Sequence, residues 1–134
     1  MNFGIQIMME DFDNDTFVDF FMTSTNGDHR LFYNDGDMTF TPATTPFATN
    51  SNTNIQSAAV GDVNNDGFID VIAGYANGFN SPSNINDQLF VNDGNENNWT
   101  KIVLEGTVSN INGIGARVEI YGEWGMQVLS LIHI

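Results

Sequence analysis

Cysteine is absent from the 134 residues, so the chain has no disulfide framework, no thiolate nucleophile and no cysteine zinc site. Positive charge is scarce as well. Lys and Arg number 3 against 17 Asp and Glu, for a formal net charge of −14. The three cations are Arg30, Lys101 and Arg117, and a chain this acidic repels a phosphate backbone, which argues against nucleic acid as a partner. Histidine occurs only as His29, at the start of a strand, and His133, near the end of the sequence. No metal-binding His pair and no Ser/His/Asp order can be assembled from these, and a surface role suits His29 better than a catalytic one. No apolar run approaches the roughly 20 residues of a membrane span, which argues against insertion. The first residues also lack the basic-then-apolar pattern of a secretory signal. No stretch carries a convincing helical period.

What is present is an apolar fraction of 41%, enough for one modest domain with a core and too much for a disordered acidic tail. The acidic residues are not scattered. In residues 11–19, Asp-Phe-Asp-Asn-Asp-Thr-Phe-Val-Asp, carboxylates stand at positions 1, 3, 5 and 9 as Asp11, Asp13, Asp15 and Asp19. Residues 62–70, Asp-Val-Asn-Asn-Asp-Gly-Phe-Ile-Asp, place Asp62, Asn64, Asp66 and Asp70 at the same positions. A hard cation such as Ca²⁺ takes six to eight oxygens at about 2.3–2.6 Å, and alternate carboxylates on a curled loop supply them. The backbone carbonyls of Phe17 and Phe68, at position 7, are the expected additional ligands. Two bound Ca²⁺ would bring the formal charge from −14 to −10.

The loops are not those of an EF-hand, which needs a bidentate Glu at position 12 and flanking helices. Position 12 is Met22 in one loop and Ala73 in the other, and the flanks read as strands. Asp, Asn and Gly also make ordinary turns, but two copies in register are better explained by ligation. The loops are expected to differ in strength. Gly67 occupies position 6 of the second, where the chain turns sharply, whereas the first has Thr16. A β-branched residue at positive φ costs on the order of 1–2 kcal/mol, so the first site is expected to be the weaker.

Around the loops the chain reads as short strands joined by tight turns. Residues 5–10 lead into the first loop and 17–22 leave it. Strands at 30–33 and 38–41 then flank Asn34-Asp35-Gly36, a strong hairpin signal. After a polar linker at 42–54 the series restarts at 55–60 and 68–75, and Leu89-Phe90-Val91-Asn92-Asp93-Gly94 repeats Leu31-Phe32-Tyr33-Asn34-Asp35-Gly36. The loops lie 51 residues apart (11 to 62) and the Leu-Phe segments 58 (31 to 89), the surplus falling in a surface loop between Ala76 and Asp87. A period near 50 with four short strands is the pattern of propeller blades. Strands are further expected at 99–104, at 116–121 and from 126.

These residues resemble the FG-GAP/VCBS repeat, the blade unit of integrin-α-type β-propellers. Residues 98–121, with Ser109-Asn110-Ile111-Asn112-Gly113-Ile114-Gly115-Ala116-Arg117-Val118, resemble the ASPIC/UnbV segment that follows such repeats in one family branch. The expected fold is therefore all-β, with two FG-GAP/VCBS-like repeats at 3–41 and 55–96 as propeller-type blades. The linker at 42–54 separates them, an ASPIC/UnbV-like β segment follows at 97–128, and a tail at 129–134 departs from the family pattern. Two blades cannot close a ring, so this looks like the C-terminal part of a longer protein whose remaining blades are its partners. The resemblance implies Ca²⁺-stabilised blades, an extracellular or cell-surface location and a non-catalytic role in adhesion or in binding a protein or carbohydrate. The alternative is the propeller portion of an extracellular polysaccharide-processing enzyme with its catalytic residues mostly elsewhere. Tyr75 and Phe79, bordering the inserted loop, are the expected ligand contacts, because binding residues concentrate on loops held by a rigid scaffold. Trp99 is expected to pack, and Arg117 to pair with a carboxylate.

Overall fold

The structure is a computed structural model, and it describes residues 4–25, 27–47, 54–77, 81–108 and 110–130. The chain divides into two compact units, Met1–Trp99 and Thr100–Ile134. Strands and loops make up all of the described residues, and no helix forms among them.

The first unit holds two antiparallel meanders. Strands β1 (Gly4–Glu10), β2 (Asp19–Ser24), β3 (Arg30–Asn34) and β4 (Phe40–Pro42) form a sheet in sequence order, and β5 (Ile55–Gly61), β6 (Asp70–Tyr75) and β7 (Gln88–Phe90) form a second. Each acidic loop joins the first two strands of its sheet. Glu10 pairs with Asp19 across one loop and Gly61 with Asp70 across the other. Side chains alternate between faces along a strand. On β2 this buries Asp19, Phe21 and Thr23, and on β6 it buries Val71, Ala73 and Tyr75.

The buried faces meet in one core. Met8, Phe12, Phe21 and Phe47 come from the first repeat side, Ile55, Val71, Ala73 and Tyr75 from the second. Gln6 ties the sheets together where the pairing of β1 is irregular: its amide donates to the Ala58 carbonyl at 3.0 Å and accepts from the Ala58 N–H at 2.9 Å.

The structure departs from the sequence-based expectation in several places. Phe47, within the expected linker, is a core residue, stacked on Phe21 at 4.6 Å between ring centroids and meeting Phe90 edge-on at 4.7 Å. Residues 48–53 lie outside the described residues. Strand β4 starts only at Phe40, because Met38 sits at φ 73° in a turn closed by the Asp35 N–H donating to the Thr39 carbonyl. The second sheet has three strands, and residues 91–97 form none after the Asn92-Asp93-Gly94 turn. Tyr75 is not at the surface. It is only 7% exposed, with its hydroxyl bonded to the Gln88 side chain at 3.2 Å. His29, expected at the surface, is buried, and its Nδ1 accepts the Ser24 N–H at 3.0 Å. The inserted loop is pinched shut by the Ala76–Pro82 bridge, and Phe79 lies outside the described residues.

In the second unit, β8 (Arg117–Gly122) and β9 (Gly125–Ser130) form a hairpin as the alternation of 116–121 predicts. The strand expected at 99–104 does not form: no neighbouring strand pairs with it, and Val103 is largely exposed. Arg117 pairs with Glu119 at 2.6 Å. Strand β9 runs through Ser130, and residues 131–134 of the tail, with His133, lie outside the described residues.

Because Phe47 fills the seam between the sheets, Phe47→Ala is expected to lower unfolding stability by about 3–5 kcal/mol in urea titration. Met38→Ala, at a side chain in solvent, should stay within about 0.5 kcal/mol of wild type.

Candidate metal centre

The two acidic loops are built from the same hydrogen bonds. At position 1, Asp11 accepts the N–H groups of Asp15 (3.1 Å) and Thr16 (2.9 Å), as Asp62 accepts those of Asp66 (3.1 Å) and Gly67 (3.0 Å). At position 3, Asp13 and Asn64 each accept the position-5 N–H, at 3.2 and 3.0 Å. At position 5, Asp15 accepts from Phe17 at 2.8 Å and Asp66 from Phe68 at 2.9 Å. Short carboxylate and carboxamide side chains bonding the backbone two to five residues on are what curl such a loop.

Position 9 does something different. Asp19 and Asp70 are 0% and 1% exposed, and each has both carboxylate oxygens engaged by backbone. Asp19 accepts the Phe12 and Asn34 N–H groups, both at 2.8 Å, and Asp70 accepts those of Val63 and Asn92, both at 2.8 Å. One carboxylate therefore joins the start of its loop to the Asn-Asp-Gly turn after the next strand.

Asp11, Asp13 and Asp15 each bring a carboxylate oxygen to within 4.8 Å of the others. Asp19 lies outside this group but near enough for its charge to be felt. The electrostatic cost is clear at Asp13, whose carboxyl is pushed from 3.8 up to about 6 by burial first, then by the charges of Asp15, Asp19 and Asp11. Asp11 and Asp19 are also raised, chiefly by burial, although backbone N–H groups pull both the other way. In the second loop Asn64 replaces the position-3 carboxylate, and its amide donates to Asp66 Oδ2 at 2.7 Å. A neutral donor there relieves what a fourth carboxylate aggravates.

Backbone strain separates the loops too. Positions 4 and 6 take left-handed conformations in both: Asn14 at φ 57° and Thr16 at 84°, Asn65 at 61° and Gly67 at 88°. Asn tolerates this conformation; a β-branched Thr does not. At Gly67 the Trp99 indole also lies so close that any Cβ would collide with it. Trp99 thus packs, but half exposed, over a loop. The position-7 rings behave alike, Phe17 lying against Gly36 and Phe68 against Gly94.

The loops touch each other through asparagines that no sequence pattern marks. Asn14 donates to the Gly67 carbonyl at 3.0 Å, and Asn92 to that of Phe12 at 2.8 Å. Asn95 and Asn97 both donate to the Asp13 carbonyl, at 2.6 and 2.9 Å. These partners are up to 84 residues apart, so the only local signal was the density of asparagine after Gly94.

Three outcomes follow. Thr16→Gly is expected to raise metal-free stability by up to about 1 kcal/mol, relief of φ strain less the added entropy of the unfolded chain. Gly67→Ala should lower it by at least about 1 kcal/mol, both read by urea unfolding. For Asp13 the folded carboxyl titrates above its ordinary value, so its contribution is fully present below pH 4 and lost as pH rises through about 6. In chelator, Asp13→Asn and wild type should converge near pH 4, and the variant should become progressively the more stable towards pH 7; a gap that does not change with pH would contradict this.

Residues 11–73 match the family model described as an FG-GAP-like repeat, a span that takes in both acidic loops and ends within β6. No curated protein and no solved structure matches the chain. The stretch from the first loop into β6 is therefore similar to an FG-GAP-like repeat, and the described residues around it form strands and loops with no helix.

Proposed function

We propose that the chain is a Ca²⁺-stabilised, non-catalytic binding module whose sheets are blades of a β-propeller. The observation that carries the proposal is the convergence of Asp11, Asp13 and Asp15 on one small volume, repeated bond for bond by Asp62, Asn64 and Asp66. Every donor in this set is oxygen, which fits a hard cation; zinc prefers nitrogen and sulfur. Asp11, Asp13 and Asp15, with Asp19 and the Phe17 carbonyl, would hold one ion. Asp62, Asn64 and Asp66, with Asp70 and the Phe68 carbonyl, would hold the other. When bound, Ca²⁺ supplies charge neutralisation where Asp13 is driven towards its protonated form. The protein's part is to hold the loops in place through the two position-9 carboxylates.

The FG-GAP-like match and the four-stranded first meander support the blade reading. The ASPIC/UnbV reading of the second unit rests on its Gly-Ile-Gly-Ala-Arg-Val run, which leads from a turn closed by the Ala116 N–H and the Gly113 carbonyl into β8. In this reading the protein acts outside the cell or at its surface, in adhesion or in binding a protein or carbohydrate, with further blades in a longer chain. Extracellular Ca²⁺ modules work at affinities of about 10⁻⁴–10⁻³ M, which suits loops this open.

The test is thermal unfolding in EDTA and in millimolar Ca²⁺, with Asp66→Ala beside wild type. Millimolar Ca²⁺, about 1–10 times such a Kd, should stabilise by roughly 0.4–1.4 kcal/mol per site, a rise of a few degrees for this size. Asp66→Ala should reduce the rise. A folded protein with no Ca²⁺-dependent shift would show the acidic loops to be ordinary turns.

A further inference from the structure

We infer that the two acidic loops bind cations as a coupled pair, with positive cooperativity transmitted by Asn14, Asn92, Asn95 and Asn97; the inference rests on the Ca²⁺ reading of the loops. The Asn92 backbone N–H holds Asp70 at 2.8 Å, while its side-chain amide donates to the Phe12 carbonyl at 2.8 Å and reaches the Ile69 carbonyl at 3.3 Å. The N–H of Phe12 holds Asp19 at 2.8 Å. The position-9 carboxylates of the two loops are thus joined through the Asn92 side chain and the backbone of Phe12.

The rest of the segment reinforces the connection. Asn95 and Asn97 converge on the carbonyl of Asp13, the position-3 residue of the first loop, and the Asn97 N–H donates to Asn95 Oδ1 at 2.7 Å. Asn14 closes the circuit from the other side by donating to the carbonyl of Gly67, the position-6 residue of the second loop. Residues 92–97 therefore close the second loop and clamp the backbone of the first.

Ordering a loop around a cation costs conformational entropy, and part of that cost is fixing the segment the loops share. Whichever loop fills first fixes it, and the other then binds a more organised site. Repulsion between the two ions opposes this. Both loops stay anionic when filled, however, and salt near 0.15 M screens separated charges within about 8 Å. Hydrogen-bonded ordering decides the sign.

Calorimetric titration of the full chain with CaCl₂ in 0.15 M NaCl tests the coupling. Wild type is compared with Asp15→Ala (first loop disabled), Asp66→Ala (second loop disabled) and the bridge variant Asn14→Gly/Asn95→Ala/Asn97→Ala. Glycine is chosen at position 14 because the backbone there is left-handed, so only the amide is lost. Wild type should bind its second ion about five-fold or more tightly than the single-loop variants bind their one. The bridge variant, which keeps only the Asn92 link, should bind two ions with the cooperativity reduced towards the sum of the single-loop isotherms. Asn14→Gly alone should reduce the cooperativity, which keeps the test decisive if the triple variant does not fold. A wild-type isotherm equal to that sum, or a weaker second ion, overturns the coupling and leaves the Ca²⁺ reading intact. Folded protein that takes up no Ca²⁺ at all overturns both.

Discussion

Each repeat depends on one buried carboxylate. Asp19 and Asp70 sit at the first residue of β2 and β6, out of solvent, with each oxygen accepting a backbone N–H. Burying an ionised group is costly unless hydrogen bonds replace the lost water, and charge-assisted bonds to backbone are among the stronger ones. In return, one side chain satisfies donors from two separate segments that would otherwise be orphaned at the end of a sheet. The acidic loop and the Asn-Asp-Gly turn are thus set at the same edge.

The first loop carries two costs that the second avoids. Thr16 adopts φ 84° where the second loop has Gly67, and Asp13 adds a carboxylate where the second has Asn64. Strain of this kind persists only where surrounding structure over-determines it, and it clusters at functional sites. Here the surroundings are visible: Asp11 accepts the N–H of Thr16 itself, Asp15 accepts that of Phe17, and residues 92–97 clamp the carbonyls of Phe12 and Asp13. The extra carboxylate gives the first loop more to gain from a cation and more to lose without one. Strain and charge therefore act in opposite directions on its affinity relative to the second loop, and Thr16 alone does not rank the two.

Local features of the site were legible in the sequence because they repeat at short range. Asp11, Asp13, Asp15 and Asp19 are spaced by two and four residues, and the positive φ at position 6 could be expected from the Gly67–Thr16 contrast alone. Strands β2, β3, β6 and β8 follow from runs of apolar and β-branched residues between turn signals. What escaped was set at long range. Phe47 reads as part of a polar linker until Phe21 and Phe90 are seen around it. Tyr75 borders a loop in sequence but ends a buried strand face in space. Residues 99–104 have the composition of a strand, yet a strand exists only where another one pairs with it. The four bridging asparagines carry no pattern that separates them from turn residues, since their partners lie 53 to 84 residues away.

Asn34 and Asn92 show why the repeats stack in place of folding separately. Each donates its N–H to a position-9 carboxylate, each accepts a glycine N–H two residues on, and each reaches a carbonyl just before its own position-9 Asp. Those bonds complete a hairpin from within. Asn92 adds one more, to the Phe12 carbonyl of the preceding repeat. The same residue type at the same place therefore serves the repeat and its neighbour. The apolar side follows the same logic, for Phe21 is covered by Phe47, which lies beyond its own meander and reaches Phe90 of the next. A single meander of about 40 residues buries too small a share of its surface to be stable alone. With its polar edge and its core each completed by the next repeat, a hairpin of this kind is stable as a member of a series.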